Sequence, residues 1–222
     1  MDLGFNFSML GQASPRGRQV FYQPFDNAEA TLNVFGGTST DPTTLPWVRA
    51  VESRLRGVVA PPSYNSSTVR NTLFGSTSTL VKISWTALCD VDGVYSQNKT
   101  TIFDDGITPI LAVIFYNGIG SAQCITVHNK SDEEIARLYS STTRITDPAY
   151  FELYVNLNTY RASIFCTHPA VDNNIDFDIS DGNTCLSKNV KHIDLAITAG
   201  KPATTQHRNY YEFLAVYEGR TI

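Results

Sequence analysis

The ten residues Ile107-Thr-Pro-Ile-Leu-Ala-Val-Ile-Phe-Tyr116 form the most apolar run in the chain and carry no charge. Turn residues bound the run: Asp104-Asp105-Gly106 before it, Asn117-Gly118 after it. A short, mostly aliphatic or aromatic run with several β-branched residues between turns reads as a strand buried on both faces. Pro109 breaks a helix here but is tolerated near the start of a strand, where a ladder donor can be missing. A strand buried on both faces needs neighbouring strands and a second layer, so this stretch demands a barrel or a sandwich.

Other segments supply the strands. Pro148 to Leu157 alternates throughout: Phe151, Leu153, Val155 and Leu157 face one way, and Tyr150, Glu152, Tyr154 and Asn156 face the other. The Asn158-Thr159 turn leads into Tyr160 to Cys166, which makes an antiparallel hairpin. In Thr79 to Asp90, Val81, Ile83 and Trp85 point inward, leaving Lys82, Ser84 and Thr86 for a wet face. Ala122 to His128 is a hairpin partner for the central run. Val20 to Phe25, Ala30 to Phe35, His192 to Thr198 and Tyr210 to Tyr217 are further strands.

Asn65 to Ser78 reads as loop, with one edge strand around Val69 to Phe74. Asp90 to Gly106 and Asp172 to Thr184 read as polar excursions. Two segments carry helix signals. Thr44 to Gly57 has a cap, a proline in the first turn and a terminal glycine. Ser131 to Tyr139 has the Ser131/Glu134 capping-box spacing and an acidic first turn, as a lid over one end of the sheet. The expected fold is all-β, an antiparallel β-barrel or sandwich with one or two short helices in loops. Residues 1–19 form an N-terminal arm and residues 20–222 one domain.

Composition narrows the function. Charged residues are only 17% of the 222 and the net charge is −4, so no basic field exists to hold nucleic acid. No apolar run reaches the roughly 18 residues of a membrane helix. The N-terminus lacks the pattern of a signal peptide, and Met1 is also consistent with a start codon added to an excised domain. Cys89, Cys124, Cys166 and Cys185 allow two disulfides in three pairings, or buried thiols in apolar stretches. Asn6-Phe7-Ser8, Asn65-Ser66-Ser67, Asn98-Lys99-Thr100 and Asn129-Lys130-Ser131 are glycosylation sequons, a sign of surface loops whether or not a glycan is attached.

Catalytic and metal signals are weak. His128, His168, His192 and His207 accompany no Gly-x-Ser-x-Gly elbow, so a Ser-His-Asp hydrolase has little support. The pair Cys166 and His168 reads as a strand end rather than a metal site. The acidic turns lack the EF-hand pattern of calcium loops. No phosphate loop lies between a strand and a helix. The expectation is a chain with no catalysis, no metal and no cofactor.

Recognition remains. Tyrosines are frequent, and Tyr150, Tyr154 and Tyr210 sit on expected wet strand faces. Tyr, Asn, Ser and Asp supply flat apolar surface with adaptable hydrogen bonds. The three tyrosines are expected at a two-fold dimer interface. The loops Asp90 to Asp105 and Asn117 to Ser121 are expected to face a receptor, with Asp92, Tyr95, Asp104, Asp105 and Asn117 as the binding residues.

Low charge, a Ser/Thr/Asn-rich surface and long irregular loops give the chain the character of a viral projection domain. In Thr79 to Asp90 with Trp85, Ile107 to Tyr116 and Tyr210 to Tyr217 it resembles the capsid spike of astroviruses, the avian kind included. That resemblance implies a β-barrel core and a homodimer on the surface of a non-enveloped virion. It also implies attachment to a host receptor, glycan or protein, exposure to neutralising antibodies, no membrane insertion, and assembly in the host cytoplasm with unused sequons and reduced cysteines. Two other readings compete: a secreted carbohydrate-binding β-sandwich module, and a trimeric adenovirus-like fibre head.

Overall fold

The computed structural model of the chain describes residues 17–25, 48–51, 54–57, 65–71, 78–89, 96–104, 109–117, 122–180, 189–199 and 209–219. Alternation and β-branching become a two-layer antiparallel sandwich, with no helix among the described residues. One layer holds β12 (Val171–Asp178), β11 (Arg161–His168), β10 (Ala149–Asn156), β5 (Leu80–Leu88), β14 (Tyr210–Glu218), β3 (Arg54–Gly57) and β2 (Val48–Val51), in that spatial order. β1 (Arg18–Gln23) shares the β14 edge, pairing with its second half while β3 pairs with its first. The other layer runs β4 (Asn65–Asn71), β13 (His192–Ala199), β6 (Ser96–Phe103), β7 (Pro109–Asn117), β8 (Gln123–Asn129) and β9 (Glu134–Ser141). β12 lies against β9, so the two layers meet along one side.

The uncharged run became β7, held between β6 and β8 and buried on both faces over Ile110 to Phe115. β5 and β10 sit at the centre of the larger sheet, in register from Ala87↔Ala149 to Leu80↔Asn156. Their inward side chains form the core. Trp85 stacks on Phe151 with centroids 5.2 Å apart, and Phe151 meets Phe115 of the facing sheet at 6.2 Å. Trp85 and Ile110 are each 1% exposed.

Polar side chains tie the sheets together at the end carrying the β5–β6 and β7–β8 connections. Asn98 points inward from β6 and donates Nδ2 hydrogens to the carbonyls of Leu88 (2.8 Å) and Tyr210 (3.1 Å) in the opposite sheet. Gln123 accepts from the Ile145 amide and donates to the carbonyls of Cys89 and Ile145. The Cys89 thiol donates to the Ser96 carbonyl at 3.2 Å. These bonds give buried main-chain groups at the strand ends side-chain partners.

The structure corrects several expectations. The edge strand expected around Val69 to Phe74 is β4, which runs over Asn65–Asn71 where loop was expected to begin. Residues 44–57 are not helical where described: β2 and β3 form a hairpin, and β3 extends the edge of β14. An open sheet edge offered ladder bonds that outweigh local cap signals. Ser131 to Tyr139 is not a helix: residues 131–133 belong to a turn, and β9 follows from Glu134. The Asn129 carboxamide oxygen takes the amides of Ser131 (2.9 Å) and Glu133 (3.0 Å), and Asp132 adopts φ 63°. The chain is therefore turned back onto β8 before the capping box can act. Asp90 to Gly106 contains β6, hidden because Ser96, Asn98 and Thr100 are its inward residues. Asp172 to Thr184 contains most of β12, whose outward acidic residues resemble a loop. Lys82, Ser84 and Thr86 are not on a wet face: they are buried at 9%, 2% and 8% exposure among larger neighbours. The strand expected over Ala30 to Phe35 lies outside the described residues.

Candidate functional site: the aromatic face of the larger sheet

Pairing register assembles one surface from strands far apart in sequence. On the outer face, one row crosses the sheet as Gln19, Tyr217, Lys82, Tyr154, Ser163 and Asp176. The next row holds Tyr22, Ala215, Ser84, Glu152, Phe165 and Asn174. A third holds Phe213, Thr86, Tyr150 and Thr167. Small Ala215 and Ser84 lie at the middle, and aromatic rings stand around them.

The rings form a band. Tyr22 lies 6.3 Å from Phe213, and Phe213 lies 6.1 Å from Tyr150. Tyr154 meets Phe165 edge-on at 5.7 Å. From Tyr22 on β1 to Phe165 on β11 the band spans four strand spacings, about 19 Å. Tyr22 is 53% exposed. The other rings are half-buried.

Glu152 organises the centre. Its Oε1 accepts from Lys82 Nζ at 2.6 Å and from the Tyr150 hydroxyl at 2.7 Å, and its Oε2 accepts from the Tyr154 hydroxyl at 2.9 Å. The ammonium also lies over the Tyr217 ring (4.9 Å) and the Tyr154 ring (5.8 Å). Burial disfavours ionisation of Glu152, but the hydrogen bonds from Lys82 and the two tyrosines outweigh it and hold the carboxyl below its ordinary range. Burial, then the Glu152 hydrogen bond, pushes the Tyr150 hydroxyl well above the ordinary tyrosine value. Both rings are thus pinned by their hydroxyls, leaving flat faces beside a fixed charged acceptor. At the edge of the face the Ser163 hydroxyl donates to the Asp176 carboxylate.

The expected site residues distribute unevenly. Tyr150 and Tyr154 fall in the centre of this face. Tyr210 is on the same sheet but is only 7% exposed, and the Arg54 guanidinium covers its ring at 4.4 Å. Asn117 and Asp104 are buried at opposite ends of the β6–β7 pair. At about 3.4 Å per residue they lie roughly 25 Å apart, so one loop surface does not contain both. Asp92, Tyr95 and Asp105 lie outside the described residues.

Sequence reasoning did not find Lys82, Phe165, Phe213, Tyr217 or Tyr22 as members of the site. The only sequence signal for it was the period-two Tyr150-x-Glu152-x-Tyr154 pattern. The described histidines are engaged elsewhere. His128 bonds Thr126 and the Asp132 carbonyl, His168 Nδ1 accepts from the Ala170 amide, and His192 stacks on Phe103. Among the described residues no group of three His, Cys, Asp or Glu side chains is placed to hold a metal.

No family model matches the sequence, and no curated protein sequence matches it. The fold does have counterparts among solved structures. The CBM2 module of the evolved Dit of Lactobacillus casei BL23 phage J-1 superposes with a TM-score of 0.62 at 5% identity, over 93% of this chain and 98% of that one. The potassium-bound carbohydrate recognition domain of Emp46p gives 0.57 at 11% identity, over 90% and 100%. The exoplasmic/lumenal domain of VIP36, bound to Ca2+ and Man3GlcNAc, gives 0.52 at 7% identity, over 76% and 82%. At these identities the likeness is one of fold, a β-sandwich.

Proposed function

We propose that this chain is a carbohydrate-binding β-sandwich module whose ligand lies across the aromatic face of the larger sheet. The observation that carries the proposal is the aromatic band with Tyr150 and Tyr154 pinned at its centre. Aromatic faces take the apolar C–H faces of pyranose rings, and a fixed carboxylate accepts from sugar hydroxyls. Rings already held by hydrogen bonds lose little rotamer freedom on binding, which lowers the cost of association. The fold counterparts support the reading: one is a carbohydrate-binding module, one a carbohydrate recognition domain, and one is bound to an oligosaccharide.

The finer reading places the module on a virus particle as its attachment spike, consistent with the astrovirus-like character of the sequence and with a phage module among the fold counterparts. Its partners are then a second copy of the chain, a host-cell glycan and antibodies. A single shallow site binds a sugar weakly, and paired or clustered copies raise avidity without new contacts.

A multivalent glycan array tests the proposal. The protein displayed on beads should bind a subset of neutral oligosaccharides. Tyr154→Ala and Tyr22→Ala should each abolish that binding while leaving the melting curve cooperative. Binding unchanged in both variants, or no glycan bound by the multivalent form, would refute it. Loss only on changes in residues 118–121 would move the site to the loops.

A further inference from the structure

The sequon Asn98-Lys99-Thr100 does not lie in a surface loop. It lies within β6, and Asn98 is 2% exposed between the two sheets. Both hydrogens of its Nδ2 are used: one reaches the Leu88 carbonyl of β5 and the other the Tyr210 carbonyl of β14. N-linked glycosylation replaces one of those hydrogens with a sugar. The sugar is bulky and strongly hydrated, and here it would have to occupy the interior where β6 faces β5 and β14. A modified Asn98 therefore cannot coexist with the closed sandwich.

Asn129-Lys130-Ser131 is constrained as well. Asn129 is 7% exposed, its oxygen holds two turn amides, and its Nδ2 donates to Glu133 at 3.0 Å. An acceptor sequon in a protein that matures under N-glycosylation belongs on an exposed loop. The transferase reads extended chain, before β6 has been enclosed, so burial in the finished fold would not protect Asn98 during synthesis.

We infer that this chain is built to fold where N-linked glycosylation does not occur, because Asn98 serves as a tie between the sheets and would be lost to that role once modified. The buried sulfurs agree independently. Two residues before the sequon, the Ser96 carbonyl accepts from the Cys89 thiol, and the Cys124 thiol donates to Ser140 Oγ at 3.5 Å. Hydrogen-bonding thiols in the interior fit a reducing compartment, since oxidising ones favour disulfides. The inference does not depend on what the aromatic face binds. It opposes secretion through a eukaryotic endoplasmic reticulum, and it holds for a cytoplasmically assembled capsid as for a bacterial or phage protein.

The test is expression of the chain behind a secretory leader in cultured animal cells, with peptide mass spectrometry at Asn98. Wild-type protein should be retained, and the retained fraction should carry a glycan on Asn98. Thr100→Val, which removes the sequon but keeps Asn98, should restore soluble secretion. The same variant made in bacterial cytoplasm reports whether it folds, since Thr100 also bonds Tyr211. Should it fail to fold, wild-type chain in cells treated with an oligosaccharyltransferase inhibitor replaces it. Folded, secreted protein with a glycan on Asn98 would overturn the inference. So would efficient secretion of wild type with Asn98 unmodified, or retention that persists when glycosylation is removed.

Discussion

Replacing Glu152 with Gln tests whether the aromatic face is a built surface or an accidental one. The change removes a charge but little volume. Lys82 then keeps its ammonium in a site where its side chain is 11% exposed, opposite a residue whose side chain is 23% exposed. Breaking a fully buried pair from one side costs about 3–5 kcal/mol. The partial exposure of Glu152 lowers that figure, and the rings of Tyr217 and Tyr154 beneath the ammonium offset about 0.5–2 kcal/mol more. The expected loss is therefore about 2–3 kcal/mol.

Urea melts at neutral pH measure the loss directly, as a lower midpoint with an unchanged slope. Replacing both partners with apolar residues, Lys82→Met with Glu152→Leu, should recover stability to within about 1 kcal/mol of wild type, because no charge is then left unpaired. The pH dependence has a defined sign. The folded-state Glu152 carboxyl titrates below its ordinary range. Its stabilisation is therefore complete above the unfolded value of about 4.3 and is lost as pH falls through the folded value. The gap between wild type and Glu152→Gln should close on acidification. A loss below about 0.5 kcal/mol at neutral pH, within the range of a surface pair, would show that the cluster is not a structural centre.

Trp85→Ala should cost about 3–5 kcal/mol in the same melts, because the indole is fully enclosed and stacked on Phe151. Asn129→Ala removes the acceptor of two turn amides and should cost about 1–3 kcal/mol, with amide exchange rising first at Ser131 and Glu133. Light scattering across a concentration series should show a dimer at tens of micromolar. A strict monomer counts against the spike, and a trimer favours the fibre-head alternative. If the dimer uses the aromatic face, Tyr22→Glu should dissociate it and glycan should compete with it.

Much of the fold was legible because a strand with one apolar face writes itself in period two. β10, β5, β13 and β14 announced themselves this way, and β7 did so as an unbroken apolar run. β2 and β3 lay in a segment with helix cap signals, and three further strands were not legible, each for a physical reason. β6 turns Ser96, Asn98 and Thr100 inward, where hydrogen bonds to the opposite layer replace apolar packing. β9 carries residues that suit a helix, and the open edge of β8 together with the Asn129 turn overrode them. β12 turns Asp176 and Asp178 outward, so its acidity imitates a loop.

The candidate site divides along the same line. Residues two apart on one strand share a face, so the sequence alone determined that Tyr150, Glu152 and Tyr154 would stand together. Only the tertiary structure decided that Lys82 lies opposite Tyr154, that Tyr217 and Ser163 flank them, and that Tyr22 and Phe213 extend the band. Strand order and register set those neighbours. Both are chosen by the burial of the whole core rather than by any local pattern, so a pair 70 residues apart leaves no mark on either segment.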